Sequence, residues 1–425
     1  MKWIKKIMLC LLAVIPFSPV FAEEAVTPEE AYEAARDDYL SAWMSMAAYD
    51  DPISRLGRKI LENENWKIEK ACVNDGNGHA RFLLARPEDK NAGPRLILSV
   101  EGTTDYTDVK ADFSFDKTLW REEDTTNREV PKVHRGFKRY ADSIWDMKLD
   151  TMTVGQIISK EADEGEILLT GHSMGGAVSV LLSARAADEG LGKNIRVETF
   201  GAPAVGNEEF AAVYGRELPI RRIVHKGDPV DGVVQKVIRN YAQTGKEEKW
   251  IPDSNLPYSS HQMIMYLDSA IRRYYDAKDI YEKEGSIIRR EKEESPHLYI
   301  RPLIVHDRGE FIRDIPYMEK ITKDYYEGQV QGAIMGKEGE SFEEAKKAAE
   351  KLGCRYVVSN ELSIKRDRLK GKNIYMTLTW EVRSVSGTVV SYAEYRMTAR
   401  NMTPLEASLY LTDKAETGSI IEQKG

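Results

Sequence analysis

Between residues 31 and 48, apolar and aromatic positions recur every three or four residues. Tyr32, Ala35, Tyr39, Ala42, Trp43 and Met46 fall near one face, which predicts a helix over Ala31–Ala48. The spacing then changes. Ile68–Val73, His79–Ala85 and Arg95–Val100 are short runs that read as strands. Glu166–Thr170 is an apolar strand running directly into Gly171, and Gly176–Ala187 is an apolar helix of small residues. Ile195–Phe200 and Ile220–His225 are further strands, with helices at Glu208–Tyr214 and His261–Tyr275. Strands alternating with helices predict a mainly parallel sheet covered by helices on both faces.

The pattern then breaks and restarts. Tyr281–Glu294 is mostly charged and reads as a solvated connection, so the linker is placed at 281–295. Beyond it a strand is expected over Leu298–Val305, with helices at Tyr317–Tyr326 and Ser341–Leu352. Strands follow at Tyr356–Ile364, Asn373–Val382 and Thr388–Arg396, the last two joined by a hairpin turn at Arg383–Gly387. The expected division is therefore an α/β domain over 23–280 and a smaller α+β domain over 296–425.

Residues 1–22 read as an export signal. Lys2, Lys5 and Lys6 precede a short apolar run, Ile7–Ile15, and small residues at Val20 and Ala22 precede Glu23 and Glu24. Cleavage is expected after Ala22, which places the mature chain in the periplasm or outside the cell. The full 425-residue sequence carries a formal net charge of −8, and an acidic chain lacks the basic surface that nucleic acid requires. The three cysteines, Cys10, Cys72 and Cys354, are too few and too scattered for a disulfide framework or a cysteine-built zinc site.

Chemistry concentrates in the first domain. Gly171-His172-Ser173-Met174-Gly175 matches G-x-S-x-G, with a strand running in and a helix running out. That is the strand–turn–helix of an α/β-hydrolase nucleophile elbow, although a glycine-rich turn that cradles phosphate uses similar residues. A serine nucleophile needs a base, and the base needs an orienting acid. On this fold the order along the chain is Ser, acid, His. His79, His134 and His172 come too early, His225 precedes the best acid, and His297 and His306 lie beyond the linker; His261 remains. Asp228 follows a strand in a Gly-Asp-Pro turn and is the expected acid, with Asp231 as the alternative in the same loop. Two donors are expected for the oxyanion, the N–H of Met174 and a group on Thr103, which follows Val100-Glu101-Gly102.

Several segments together resemble the class 3 (fungal-type) lipases, over about residues 30–280. Val133-His134-Arg135-Gly136-Phe137 resembles that family's V-H-x-G-F, and Gly171–Gly176 resembles G-H-S-L-G-G. Thr199–Asn207 resembles T-F/Y-G-x-P-R-V-G-N, with Ala204 in place of the arginine. His225–Val230 resembles the acid loop and Tyr258–His261 the base loop. The resemblance implies a Ser173–Asp228–His261 triad, an oxyanion hole at Thr103 and Met174, and no metal or organic cofactor. Two departures stand out: Glu101 replaces the arginine of the family's oxyanion loop, and the lid tryptophan is missing near Asp112. The covering segment is expected at Thr104–Phe115 or Leu119–Val130, both strongly charged. The C-terminal part resembles small periplasmic α+β domains of envelope-assembly lipoproteins.

The expectation is thus an exported serine ester hydrolase acting on lipid or small carboxylic esters, with transient contact to a membrane surface. Lipase, phospholipase A1, soluble esterase and acyltransferase remain open, as does an envelope scaffold with a vestigial hydrolase domain. The C-terminal domain is expected to dock an envelope protein or to be an inert appendage.

Overall fold

Along the strands of the larger sheet, neighbouring side chains enter different cores, because successive Cβ atoms of a strand point to opposite faces. Phe82, Leu84, Leu96, Leu98, Ile167 and Leu169 enter one cluster. Leu83, Ala85, Ile97 and Leu168 enter the other. A computed structural model describes residues 26–74, 79–89, 93–102, 116–122, 129–230, 240–253, 256–283, 297–330, 332–367 and 373–415. The expected signal segment 1–22, most of the expected linker, the segment Thr104–Phe115 and the candidates Thr103 and Asp231 lie outside the described residues.

The larger sheet has seven strands in chain order: β1 (Trp66–Asn74), β2 (His79–Pro87), β3 (Leu96–Val100), β4 (Ile167–His172), β5 (Ile195–Phe200), β6 (Ile220–His225) and β7 (Lys246–Trp250). β1, β2 and β3 pair antiparallel, and β3 to β7 pair parallel. The helices are α1 (Pro28–Ala47), α2 (Pro52–Asn63), α3 (Arg135–Asp146), α4 (Val154–Ala162), α5 (Met174–Asp188), α6 (Glu208–Glu217) and α7 (Met263–Lys283). α3 to α6 cover one face of the sheet through Phe137, Ile144, Ile158, Val178, Leu181 and Phe210. α1, α2 and α7 cover the other through Trp43, Met44, Leu56, Leu61, Leu267 and Ile271. This is the α/β-hydrolase arrangement, and it brings the ends of β3, β4, β5 and β6 together at the carboxyl edge.

The smaller sheet is built from β8 (Leu298–Ile300), β9 (Ile304–His306), β10 (Ala333–Met335), β11 (Tyr356–Arg366), β12 (Ile374–Ser384) and β13 (Val389–Ala399), with helices α8 (Ile315–Gln329), α9 (Phe342–Lys351) and α10 (Pro404–Lys414). The strand expected over Leu298–Val305 is two strands, because Pro302 has no N–H to give to a ladder. Helix α10 has no counterpart in the sequence reading, although Pro404 at its first turn and the Thr403–Glu406 capping box mark its start. One face of β12 carries Ile374, Met376, Leu378, Trp380 and Val382 into the same cluster that holds Trp43 and Leu267. The core beneath α1 and α7 therefore continues through α8 and α10 to the second sheet. Both described cysteines, Cys72 and Cys354, are free thiols.

Glu406 lies inside this shared core, fully buried. Burial first, and the nearby Asp268 charge second, push its carboxyl up to about 8 from the ordinary 4.5. Between those pH values the folded chain holds a proton that the unfolded chain has released, so this group makes stability fall as pH rises through that window. Replacing it with a neutral isostere removes the effect. The thermal midpoint of Glu406→Gln should decline less than that of the wild type between about pH 5 and 8; parallel declines would show that Glu406 does not titrate in this way.

Candidate active site

The elbow depends on one strained residue. Ser173 joins β4 to α5 with φ 54° and ψ −124°, a conformation that costs a non-glycine residue roughly 1–3 kcal/mol. Its N–H donates to the Phe200 carbonyl at 2.9 Å, tying the turn to the end of β5. The flanking glycines allow close approach. A Cβ on Gly175 would stand 2.1 Å from the Val100 carbonyl oxygen, and one on Gly171 would stand 2.7 Å from the Gly175 carbonyl carbon.

Ser173, His261 and Asp228 come from three separate loops and meet below the surface, each about 4% exposed. Ser173 Oγ lies 3.0 Å from His261 Nε2. His261 Nδ1 lies 3.0 and 2.9 Å from the two oxygens of Asp228. A carboxylate can only accept, so Nδ1 carries the proton and Nε2 faces the serine as acceptor. Asp228 Oδ1 also accepts the Val230 N–H at 2.8 Å, and Oδ2 accepts the Tyr266 hydroxyl at 2.6 Å. Burial alone would raise the Asp228 carboxyl, but the hydrogen bonds from His261, Tyr266 and Val230 outweigh it and hold the group below its usual value. Gly201, at φ 57°, completes the arrangement. A Cβ there would stand 2.7 Å from Asp228 Oδ2 and 3.1 Å from His261 Nδ1, so the glycine of Thr199–Asn207 leaves room for the acid–base pair.

Two of the histidines set aside as bases, His225 and His172, hold this arrangement from behind. His225 Nδ1 donates to the Ser260 carbonyl at 2.8 Å, and Nε2 accepts from Ser269 Oγ at 3.0 Å. Its ring stacks on Tyr266 at 3.8 Å and 3°. The Tyr266 hydroxyl accepts the His225 backbone N–H at 3.0 Å, which directs its own proton to Asp228. His172 Nε2 donates to the His261 carbonyl at 2.6 Å, and its Nδ1 therefore accepts from Tyr49 at 2.6 Å. Burial pushes His172 down to about 3 and His225 down to about 4, so both are neutral at ordinary pH. Consecutive carbonyls, Ser260 and His261, are each held by one neutral imidazole.

This second layer reaches the expected oxyanion loop. The backbone of Gly102 hydrogen-bonds the Tyr49 hydroxyl. Polar contacts thus run from Gly102 through Tyr49 and His172 to the backbone of His261. Met174 opens α5, where the helix dipole presents its positive end. Glu101, in the place of the family's arginine, pairs with Arg81 at 3.2 Å, and burial raises its carboxyl despite that partner. Tyr49, Tyr266, His172 and His225 were missed as contributors. Only the two histidines carried a visible signal, one inside the elbow motif and one at the end of a strand. Among the described residues no cluster of His, Cys, Asp and Glu could hold a metal ion, and no helix is long and apolar enough to cross a membrane.

Residues 97–236 match the family model of "Lipase (class 3)". The chain is 35% identical over 101 residues to a lipase of Caenorhabditis elegans, covering 23% of this chain and 27% of that one. It is 26% identical over 235 residues to a chloroplastic phospholipase A1 of Arabidopsis thaliana, covering 48% and 42%. Among solved structures, the lipase of Rhizopus microsporus var. chinensis superposes with a TM-score of 0.42 at 20% identity, over 51% of this chain and 74% of that one. The matches thus span 27% and 42% of the length of these two curated relatives. The segment that carries the elbow, Gly201 and Asp228 is the segment that matches the class 3 lipase family.

Proposed function

We propose that this chain is a serine carboxylic-ester hydrolase acting on lipid-like esters through Ser173, His261 and Asp228. The reading rests above all on the continuous hydrogen-bonded path from Ser173 Oγ to the Asp228 carboxylate. In this mechanism Ser173 Oγ attacks the ester carbonyl while His261 Nε2 takes its proton. Asp228 stabilises the imidazolium so formed and keeps Nδ1 protonated. The N–H of Met174 and a donor on Thr103 bind the oxyanion. The tetrahedral species collapses as His261 returns the proton to the leaving alcohol, leaving an acyl-enzyme. Water, deprotonated by His261, then attacks the acyl carbonyl and releases the acid and free Ser173.

The relatives are named as lipases and as a phospholipase A1, which supports a lipid ester as substrate for this chain without choosing a head group. Transfer of the acyl group to an alcohol uses the same residues and differs only in the acceptor. A vestigial scaffold is disfavoured by the retained strain at Ser173 and the low-lying Asp228, neither of which a structural role needs. We also propose that residues 1–22 export the chain, so that its substrates are envelope or extracellular esters and contact with a membrane surface is transient.

Turnover of p-nitrophenyl esters from butyrate to laurate tests the reading. Ser173→Ala should lower kcat by at least about 10³-fold while its circular dichroism spectrum is unchanged. Ester hydrolysis near the wild-type rate by that variant would refute the mechanism. Asp228→Asn should lower kcat by about 10³–10⁴-fold, because the imidazole loses the tautomer that faces Ser173. A loss below tenfold in Asp228→Asn, with a large loss in Asp231→Asn, would move the acid to Asp231.

A further inference from the structure

We propose that the C-terminal unit, residues 297–415, is a working part of the hydrolase: it seats the His261 loop by clasping Tyr258 and by closing a buried ionic cluster on α7. Tyr258 and Asp314 are then positioning residues. This rests on the reading of Ser173, His261 and Asp228 given above.

The loop Pro257–Gln262 carries His261 and leads into α7. The family match ends at residue 236, before this loop begins. On the hydrolase side the loop is held by His225 and His172. On its other side it meets the C-terminal unit. Tyr258, three residues before His261, donates its hydroxyl to the Met402 carbonyl at 2.6 Å and accepts the Met402 N–H at 3.3 Å. One hydroxyl thus satisfies both polar backbone groups of the residue that precedes the cap of α10.

A second attachment lies about two turns along α7. Asp268 is fully buried. It receives the Arg272 guanidinium through two hydrogen bonds, of 2.7 and 3.2 Å, and lies against Thr403, the N-cap of α10, whose hydroxyl donates to Glu406. Arg272 also bonds Asp314, which immediately precedes α8, and lies 4.9 Å over the Tyr317 ring. Burial raises the carboxyls of Asp268 and Asp314 despite the guanidinium. Removing one partner from such a cluster leaves uncompensated buried charge, so breaking it is costly. Leu405 and Leu409 of α10 and Met318 and Ile321 of α8 share one apolar cluster with Ile264, Leu267 and Ile271 of α7.

The base is therefore gripped from two sides. A displacement on the order of 1 Å at a reacting group can cost about 10²-fold in rate. Loosening the outer grip should lower turnover without changing how a small ester binds.

The test uses the full chain and two variants. Tyr258→Phe keeps the ring and removes the clasp. Asp314→Asn keeps the packing and removes one of the negative charges that face Arg272. Active sites are titrated with a fluorophosphonate, and kcat per titrated site, KM for p-nitrophenyl butyrate, the pH profile of kcat and the thermal midpoint are measured. The expected result is a fall of about tenfold in kcat per site for Tyr258→Phe, a smaller fall for Asp314→Asn, KM within about twofold, and a displaced limb in the pH profile. A purely structural role would lower the thermal midpoint or the titrated fraction and leave kcat per site and the pH profile at wild-type values; that outcome in both variants overturns the inference. If Tyr258→Phe does not fold, Asp314→Asn decides alone. A wild type that neither hydrolyses the ester nor takes up the probe refutes the proposed function and this inference with it, whereas an active wild type with indifferent variants refutes this inference only.

Discussion

A serine hydroxyl is a useful nucleophile only while one nitrogen of an imidazole faces it and the other is fixed to a carboxylate. Here that condition joins three loops whose residues lie 88 and 33 positions apart in sequence. Much of the surrounding structure maintains it. The parallel order from β3 to β7 brings the loop ends to one edge. The strained turn at Ser173 lifts the hydroxyl out of the strand, and Gly201 leaves space for the pair behind it. Two neutral histidines then hold the backbone of the base, so its position does not depend on side-chain packing alone.

The electrostatics are graded to match. Burial pushes all of these groups toward their uncharged forms, and it succeeds with His172 and His225. It fails at Asp228, because three donors converge on that carboxylate. The site therefore holds one fixed negative charge among neutral polar groups, placed where the proposed mechanism would develop a positive charge on His261. Glu101 is paired with Arg81, and its charge adds to burial in raising the Tyr49 hydroxyl.

Local signals carried the hydrolase half. The elbow, the Gly-Asp-Pro turn after β6 and the chain order of Ser, Asp and His are legible because each is a short segment with a steric or topological reason. The short strand-like runs of β2 and β3 and the helical face of α1 were legible for the same cause. What stayed hidden is long-range. Tyr49 meets His172 across 123 residues and Tyr258 meets Met402 across 144; Tyr258 stands in the expected base loop, but nothing around either tyrosine points to its partner. The continuity of the apolar core from Trp43 to Trp380 was hidden too, because a charged stretch near residue 285 reads as a boundary whether or not the flanking cores merge. Pro302 was a visible signal that was passed over.

The central claim is that Ser173 is an activated nucleophile, and covalent labelling tests it most directly. Intact-mass and peptide analysis after treatment with a fluorophosphonate should show one adduct per chain, on the peptide that contains Ser173, with the rate of labelling strongly reduced in His261→Ala. Absence of an adduct on a folded wild-type chain, or labelling that ignores His261, would contradict the account.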